Sequence, residues 1–175
     1  MKAMMSKDIV YTFTTDTPLG NIQAAASDNA LCGLWFSGQK YFPAAAKSWR
    51  KEVDYPVFVS LRAWLKDYFD QKKPKMTIPL SPSGTEFQQA VWKLLLDIPY
   101  GKTTSYGALA LKLAAGKKAS AQAVGGAVGH NPISLVIPCH RVLGADGSLT
   151  GYAGGLDKKR ALLELEGCEA VRYSL

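Results

Sequence analysis

A cysteine and a histidine stand side by side in the segment "LVIPCHRVLG", residues 135–144. Cys139 can act as a nucleophile only as a thiolate, so its pKa must be lowered by a nearby base or positive charge. His140 and Arg141 are the immediate candidates for that task. Adjacent side chains on an extended backbone point to opposite faces, so His140 would need a turn or a bridging water to reach Cys139. The segment predicts a nucleophilic cysteine with a histidine base.

A carboxylate that orients this histidine is expected in "LDKKRALLELEG", residues 156–167. Glu164 and Arg160 have the spacing of an exposed ion pair, whereas Glu166 follows Leu162 by four residues on the apolar face. A carboxylate at a helix C-terminus is unfavourable unless it has a partner such as an imidazolium, although it can also turn out to water. We therefore predict that Glu166 points inward to a partner.

Composition limits the class of protein. A chain of 175 residues that is 47% hydrophobic can form one good core or two small ones. No apolar run approaches the ~20 residues that cross a bilayer, and charges interrupt the start "MKAMMSKDIVYTF", where a signal peptide needs an apolar stretch. The three cysteines are odd in number and form no C-x-x-C pair. We predict a cytoplasmic protein with reduced thiols and no metal.

A net charge of +7 favours an acidic partner, and its distribution points to one region. No Asp or Glu occurs between Asp97 and Asp146. The basic residues of this interval are Lys102, Lys112, Lys117, Lys118 and Arg141. The cysteine motif therefore lies in a basic window, as expected of a nucleic-acid-binding surface.

Prolines and lysines interrupt every periodic pattern in "QKKPKMTIPLSPSG", residues 71–84, where we predict a domain boundary. Residues 1–80 would form an N-terminal α/β domain, and residues 81–175 a C-terminal, mainly helical domain. Upstream, "VYTFT", "NIQAAAS" and "LCGLWF" predict a three-stranded antiparallel meander. A helix after Pro56 would cover this sheet. Its apolar face comprises Leu61, Trp64, Leu65 and Tyr68.

Three helices are predicted downstream of the boundary. Thr85 and Gln88 have capping-box spacing at the start of the first helix. Ser105 can cap a second helix that ends at Gly116, and a third runs over about residues 118–129. Two short helices across a glycine turn suggest a helix-turn-helix, although ordinary helical hairpins share this pattern.

The third helix, "KKASAQAVGGAVGHN", carries almost no side-chain bulk, although each interior glycine costs ~1 kcal/mol relative to alanine. Three explanations remain open. The helix could pack tightly against a neighbouring helix, or enter a DNA minor groove only ~6 Å wide. It could also be a phosphate-binding loop, but "GGAVG" fits neither dinucleotide nor P-loop spacing.

The chain around the cysteine is predicted to be extended. Asn131 and Pro132 stop the third helix, and "ISLVI", residues 133–137, has the pattern of a buried strand. Cys139 would then emerge at the end of that strand. Beyond it, Asp146 and Gly147 form a strong turn signal, which predicts a short hairpin wing.

The segment "IPCHRV", with "AVGGAVGHNP" upstream and "GYAGG" and "LLELEG" downstream, closely resembles the O6-alkylguanine-DNA alkyltransferases through residues 85–167. That family pairs an N-terminal α/β domain, on a small antiparallel sheet, with a helical C-terminal domain. Its helix-turn-helix binds the minor groove and flips the damaged nucleotide out. The resemblance implies a monomeric DNA-repair protein without cofactor or membrane partner. It would transfer the alkyl group of O6-alkylguanine in double-stranded DNA once, with O4-alkylthymine as a further candidate substrate.

The resemblance also implies roles for the catalytic residues. Cys139 would be the nucleophile, made a thiolate through His140 and a water. Glu166 would hold the imidazole, and Asn131 would order the nearby turn. Tyr106 would give a proton to N3 of the leaving guanine; without the family it could equally be a helix residue that packs on the core.

Substrate contacts follow from the same resemblance. The backbone N–H of Ala153 would meet the O6 atom of the base, at a position where the family usually has serine. The carbonyls of Cys139 and Val142 would accept from its exocyclic amine. Tyr152 and Gly154 would complete the pocket.

DNA would be bound by the residues Ala119, Ala121, Gln122, Ala127, Gly129 and Arg141. Gln122 departs from the family, which typically has there an arginine that fills the space of the flipped base. Two rival classes remain. A cysteine hydrolase would use the same thiolate, and a non-catalytic alkyltransferase-like protein would only bind lesions, but the latter lacks the reactive cysteine that this chain has at Cys139.

Overall fold

The computed structural model describes residues 9–113 and 119–168. Its N-terminal part contains the predicted antiparallel meander, with β1 at Tyr11–Thr17, β2 at Gly20–Ser27 and β3 at Ala30–Phe36. A two-residue strand, β4 at Arg50–Lys51, pairs in parallel with β1 and gives the sheet order β3-β2-β1-β4. The meander prediction is confirmed, and β4 is an edge that the sequence pattern did not reveal.

The turn between β2 and β3 follows from its residue types. Asp28 and Asn29 have φ angles of 47° and 59°. Asparagine and aspartate tolerate this left-handed conformation, which matches the twist of the flanking strands. Local chemistry therefore sets the register of β2 against β3.

One face of the sheet is covered by helix α1, Pro56–Phe69. Leu61, Leu65 and Tyr68 are buried, and Trp64 stacks on Tyr68 with ring centroids 5.2 Å apart. The predicted apolar face of this helix is confirmed. Tyr68 lies near its C-terminal end, where α1 contacts the rest of the chain.

The helix predicted after residue 84 is α2, Glu86–Leu96. The Thr85 hydroxyl accepts a hydrogen bond from the backbone N–H of Gln88, and the Gln88 side chain accepts one from the Thr85 N–H. This reciprocal arrangement satisfies two backbone donors at the helix start. The capping-box prediction is confirmed.

The two helices of the predicted helix-turn-helix are α3, Tyr106–Leu113, and α4, Ala121–Gly129. The Ser105 hydroxyl accepts from the backbone N–H of Ala108 at 3.1 Å, as predicted for a cap. Helix α4 begins at Ala121, later than expected, because the Ser120 hydroxyl caps it. The expected end of α3 at Gly116 lies outside the described residues.

The segment predicted as a buried strand, residues 133–137, forms a turn instead, and that prediction is wrong. Leu135 has a φ of 69°, and only Ile133 makes a strand-like bridge, with Leu34 of β3. The Asn131 side chain accepts from the N–H of Ile133 at 3.0 Å and donates to the carbonyl of Ile137 at 2.8 Å. An amide that joins both ends folds this apolar run back on itself.

The predicted hairpin wing is present as its turn alone. The Asp146–Gly147 turn does form, because the N–H of Gly144 donates to the carbonyl of Ser148 at 2.9 Å. However, β6, Val142–Leu143, pairs in parallel with β5, Thr104–Ser105. No described residue beyond Ser148 forms an antiparallel partner strand. The chain instead continues as a loop into α5, Leu156–Leu165.

The two parts of the chain share one apolar core. A single cluster joins Phe58 of α1 and Leu34 of β3 to Trp92 of α2 and Ile137. The N–H of Leu34 also donates to the carbonyl of Pro132 at 2.8 Å. The sheet therefore supports the turn that carries Cys139, and the boundary after residue 80 stays a prediction. Among the described helices, none has the length and apolarity to cross a membrane.

Candidate active site

Cys139 lies at the base of a cavity of about 160 Å³. The cavity is lined by Lys40, Tyr41, Tyr106, Gly125, Val128, Gly129, Cys139, Gly151, Tyr152 and Ala153. Cys139 begins a 3₁₀ turn, Cys139–Arg141, rather than ending a strand. Such a turn directs successive side chains about 120° apart. His140 and Arg141 are thereby turned away from the cavity, into the interior behind Cys139.

The Cys139 thiol is protonated in this resting arrangement. Burial raises its pKa above the ordinary value of 9.0, whereas the Asn131 side chain and the charge of Lys159 act in the opposite direction. Asn131 is therefore placed beside the thiol as well as across the turn. A buried thiol of raised pKa needs a base at the moment of attack.

His140 is fully buried, and its Nε2 atom lies 2.7 Å from Oε1 of Glu166. Burial lowers the pKa of His140 below its ordinary value of 6.5, so the imidazole is neutral at pH 7. An ionised carboxylate can only accept, so Nε2 carries the proton and Nδ1 keeps a free lone pair. Within the described residues, this buried Nδ1 has no hydrogen-bond partner.

Glu166 is the C-cap of α5, and its side chain is fully buried, as predicted. Burial alone would raise the pKa of this carboxyl, but hydrogen bonds from His140 and Arg141 hold it far below its usual range. The Tyr68 hydroxyl donates to Oε1 at 2.7 Å, and the N–H of Gly101 donates to Oε2 at 3.3 Å. The positive partner of Glu166 is thus Arg141, not the imidazolium that was expected.

Arg141 is buried, which does not fit the expected contact with DNA. Its Nε donates to Oε2 of Glu166 at 2.8 Å, and Nη2 donates to Oε1 at 2.9 Å. A third nitrogen donates to the carbonyl of Ile98 at 2.6 Å. A planar fork of donors matches a carboxylate in this way and leaves the guanidinium no free edge for a phosphate.

Sequence reasoning missed Lys159, which is fully buried beneath the cavity. Its Nζ donates to the carbonyls of Thr150 at 3.0 Å and Gly151 at 3.1 Å. Burial lowers its pKa to about 8. Helical spacing could have indicated its burial, because Lys159 precedes buried Leu162 by three residues and so lies on the inward face of α5.

Tyr106 lines the same cavity as Cys139, and its hydroxyl donates to the carbonyl of Thr150 at 2.9 Å. Burial raises the pKa of this hydroxyl. Lys159 and Tyr106 therefore share the Thr150 carbonyl, which ties the loop of residues 150–155 to α3 and α5. For Tyr106 to donate to a bound base, its hydroxyl must leave this carbonyl.

Two of the other expected substrate residues, Tyr152 and Ala153, also line the cavity. Val142 and Gly154 are not among the described residues that line the cavity. A Cβ on Gly154 would lie 2.9 Å from the Tyr152 ring and 3.2 Å from the Phe36 ring. Gly154 therefore allows close packing of the loop rather than contact with a substrate.

Helix α4 separates the expected DNA-binding residues into two groups. Ala121 and Gln122 are exposed in its first turn, whereas Gly129 lines the cavity. Ala127 is 4% exposed and its carbonyl accepts from the Trp92 indole, so it faces the core and does not fit the expected contact with DNA. Ala119 is partly buried against the core. The small residues of α4 therefore have two roles: some pack against the core, and others line the cavity.

The N-terminal part contributes contacts that no sequence signal predicted. Tyr68 reaches Glu166 across 98 positions of the chain. Gln39 is buried and exchanges hydrogen bonds with Ser134, at 3.0 Å and 3.1 Å. In the described part of the chain, no group of three or more His, Cys, Asp or Glu residues is arranged to hold a metal ion.

Comparison with known proteins identifies the family. The ribonuclease-like domain of 6-O-methylguanine DNA methyltransferase matches residues 9–82, and the DNA binding domain of the same protein type matches residues 86–168. A methylated-DNA–protein-cysteine methyltransferase of Mycobacterium tuberculosis is 44% identical over 158 residues, which are 90% of this chain and 93% of the relative. The Haemophilus influenzae protein of that name is 42% identical over 159 residues, 90% of this chain and 86% of the relative.

Solved structures agree with these relatives. The crystal structure of M. tuberculosis O6-methylguanine methyltransferase has a TM-score of 0.81 at 42% identity, covering 90% of this chain and 93% of that one. The structure of M. tuberculosis OGT in complex with DNA has a TM-score of 0.80 at 42% identity, covering 89% and 92%. The chain therefore belongs to the O6-methylguanine DNA methyltransferase family, whose members accept a methyl group from methylated DNA on a protein cysteine.

Proposed function

We propose that this protein repairs double-stranded DNA by moving the alkyl group of O6-alkylguanine onto Cys139. One observation carries the proposal. Cys139 faces an open cavity, while the neutral His140 behind it donates from Nε2 to Glu166 and has no partner for Nδ1 among the residues that the structure describes. This arrangement supplies a nucleophile, a base and an orienting carboxylate within one turn of chain and one helix end.

The reaction begins with removal of the thiol proton. The proton of Cys139 passes through a bridging water to Nδ1 of His140, and the imidazolium formed is stabilised by Glu166 at 2.7 Å. The thiolate then attacks the alkyl carbon, a C–S bond forms, and the C–O6 bond breaks. Both electrons of that bond leave with the guanine, which needs a proton and hydrogen bonds to accept them.

The leaving base is stabilised by residues of the cavity. Tyr106 donates its hydroxyl proton to N3 of guanine after leaving the Thr150 carbonyl, and the N–H of Ala153 donates to O6. The proton that His140 took from Cys139 then returns through water to the Tyr106 oxygen, so both side chains end neutral.

The backbone carbonyl of Cys139, which lines the cavity, accepts from the exocyclic amine of guanine. Val142 is fully buried and is not among the described lining residues, so its carbonyl has no part in this proposal. O4-alkylthymine would make fewer contacts, because thymine has no exocyclic amine to donate to a backbone carbonyl. We therefore infer a preference for the guanine lesion.

DNA approaches the cavity from the exposed side of α4. Ala121 and Gln122 are exposed, and the small residues at Gly125 and Gly129 continue from there to the cavity wall. A helix with so little bulk fits a minor groove ~6 Å wide. A base on this side can rotate out of the stack and reach Cys139 with the helix still in the groove.

The product is a thioether, which water does not hydrolyse as it does a thioester. Each molecule therefore acts once. We further propose that it acts as a monomer without a cofactor, in the cytoplasm, where its thiols stay reduced. The other cysteines, Cys32 and Cys168, do not line the cavity in the described part of the chain.

The deciding experiment is incubation with a duplex oligonucleotide that contains O6-methylguanine, followed by peptide mass spectrometry. A methyl group on Cys139 and unmodified guanine in the DNA are expected. Cys32 and Cys168 serve as internal controls and should stay unmodified. An intact lesion beside unmodified Cys139 would refute the proposal.

A further inference from the structure

One wall of the cysteine cavity comes from the N-terminal part of the chain. Lys40 and Tyr41, which follow β3, line the cavity together with Cys139. The N–H of Lys40 donates to the carbonyl of Ala153 at 3.1 Å, in the loop that faces the substrate. Buried Gln39 is bonded to Ser134, in the turn that precedes Cys139. Two separate contacts therefore hold this segment against the cavity.

Tyr41 is fixed by a third contact. Its ring stacks on the His130 ring at the end of α4, with centroids 3.9 Å apart and planes 24° apart. Its φ is 63°, a left-handed conformation that costs about 1 kcal/mol or more for a residue other than glycine. A strained backbone persists where the surrounding contacts hold it, and here those contacts place an aromatic ring at the cavity.

The ring nevertheless remains accessible. Tyr41 is 59% exposed, so a group at the cavity mouth can lie against it without displacing it. A ring that is already immobilised offers apolar contact without a further loss of side-chain entropy. A methyl group ends at its reacting carbon beside the buried Cys139. A larger O6-substituent has further atoms, which extend from that carbon toward the mouth of the cavity.

We propose that Tyr41 is a specificity-determining residue: it is the contact surface for O6-substituents larger than methyl. Lys40 and Gln39 act as positioning residues that hold it there. The proposal rests on the alkyl transfer proposed above, and it names the residue that would contact the larger O6-substituents. The surface belongs to the N-terminal part, so the C-terminal part would lack it.

The test compares two free bases, O6-benzylguanine and O6-methylguanine, which need no base flipping. The rate constants for alkylation of Cys139 are measured for the intact protein and for Tyr41→Ala, Tyr41→Phe and Phe42→Ala. Tyr41→Ala should lower the benzyl-to-methyl rate ratio about fivefold, which corresponds to ~1 kcal/mol. Tyr41→Phe keeps the ring and should keep the ratio.

Phe42 is the matched control, because it is the next residue, is 40% exposed and packs on Trp35 and Trp49 away from the cavity. Phe42→Ala should leave both rates unchanged. An unchanged or increased ratio in Tyr41→Ala would overturn the proposal, and so would an equal fall of both rates. Failure of the wild-type protein to react with either base would instead refute the alkyl transfer itself.

Discussion

Arg141 holds the carboxylate of Glu166 through two parallel hydrogen bonds, at 2.8 Å and 2.9 Å. The pair lies in the interior directly behind Cys139, the proposed nucleophile. Because hydrogen bonds from His140 and Arg141 keep the pKa of Glu166 far below its usual range, the carboxylate accepts from Nε2 of His140 at every physiological pH. A cation that never touches the substrate thus helps to keep the carboxylate partner of the base ionised.

Arg141→Leu should destabilise the protein by about 3–5 kcal/mol, because it leaves a buried carboxylate without its cation. Lys66→Leu is the control. Lys66 pairs with Asp70 at 2.7 Å, and its side chain is 73% exposed, so the loss of this pair should change the free energy of unfolding only slightly. Urea unfolding measures both. Similar losses in the two variants would contradict the proposed importance of the buried pair.

Glu166→Gln should slow alkyl transfer about 100-fold, because an uncharged partner no longer stabilises the imidazolium form of His140. Glu164→Gln, two residues earlier and exposed, should change the rate less than about twofold. Single-turnover rates with methylated duplex, measured over pH, give the comparison. In Glu166→Gln the rate should also begin to rise at a higher pH than in the wild type. Equal effects of the two variants would reject the assignment of Glu166.

The amount of lesion repaired should equal the amount of active protein. The thioether on Cys139 is not hydrolysed, and among the cavity-lining residues that the structure describes Cys139 is the only thiol. Titration of methylated duplex with known amounts of protein should give a plateau at one methyl per molecule. Repair that continues beyond this plateau would contradict a single-turnover reaction.

The free energy of unfolding should decrease as the pH falls from 7.5 to 5.5. Burial lowers the pKa of His140 below 6.5, so in this window the unfolded chain binds more protons at this residue than the folded protein does. The stability that depends on neutral His140 is therefore complete above pH 6.5 and is lost as the pH falls toward the folded pKa. Glu166 stays ionised throughout this window.

Urea unfolding of His140→Gln should show a smaller pH dependence than the wild type. If His140→Gln retains the full slope, the buried imidazole is not its source.

Gln122→Arg should strengthen duplex binding and speed repair of duplex lesions by about threefold or more. Arginine adds a positive charge and a larger planar group beside the base that loses its partner when the lesion flips out. Gln122 is exposed in the first turn of α4. Reaction with free O6-benzylguanine involves no flipping and should gain nothing. If the variant repairs duplex lesions no faster than the parent, Gln122 does not weaken the flipping step.

Short-range signals in the sequence determined the elements and the chemical motif. Thr85 and Gln88 specify the start of α2 because their hydrogen bonds span only three residues. Asp28 and Asn29 specify their turn through their own φ preferences. The position of Glu166 on the inward face of α5 followed from helical periodicity alone. In each case the relevant interaction lies within one turn of chain.

Only the tertiary structure decided what surrounds that motif. The apolar run of residues 133–137 has the composition of a strand, yet Asn131 and the bridge to Leu34 fold it into a turn. Arg141 lies in a basic window of the sequence, yet Glu166, 25 residues away, pairs with it in the interior. Tyr68 and Tyr41 reach the site from the N-terminal part. Contacts over such separations depend on how the sheet packs on the helices, and no local pattern in the chain encodes that packing.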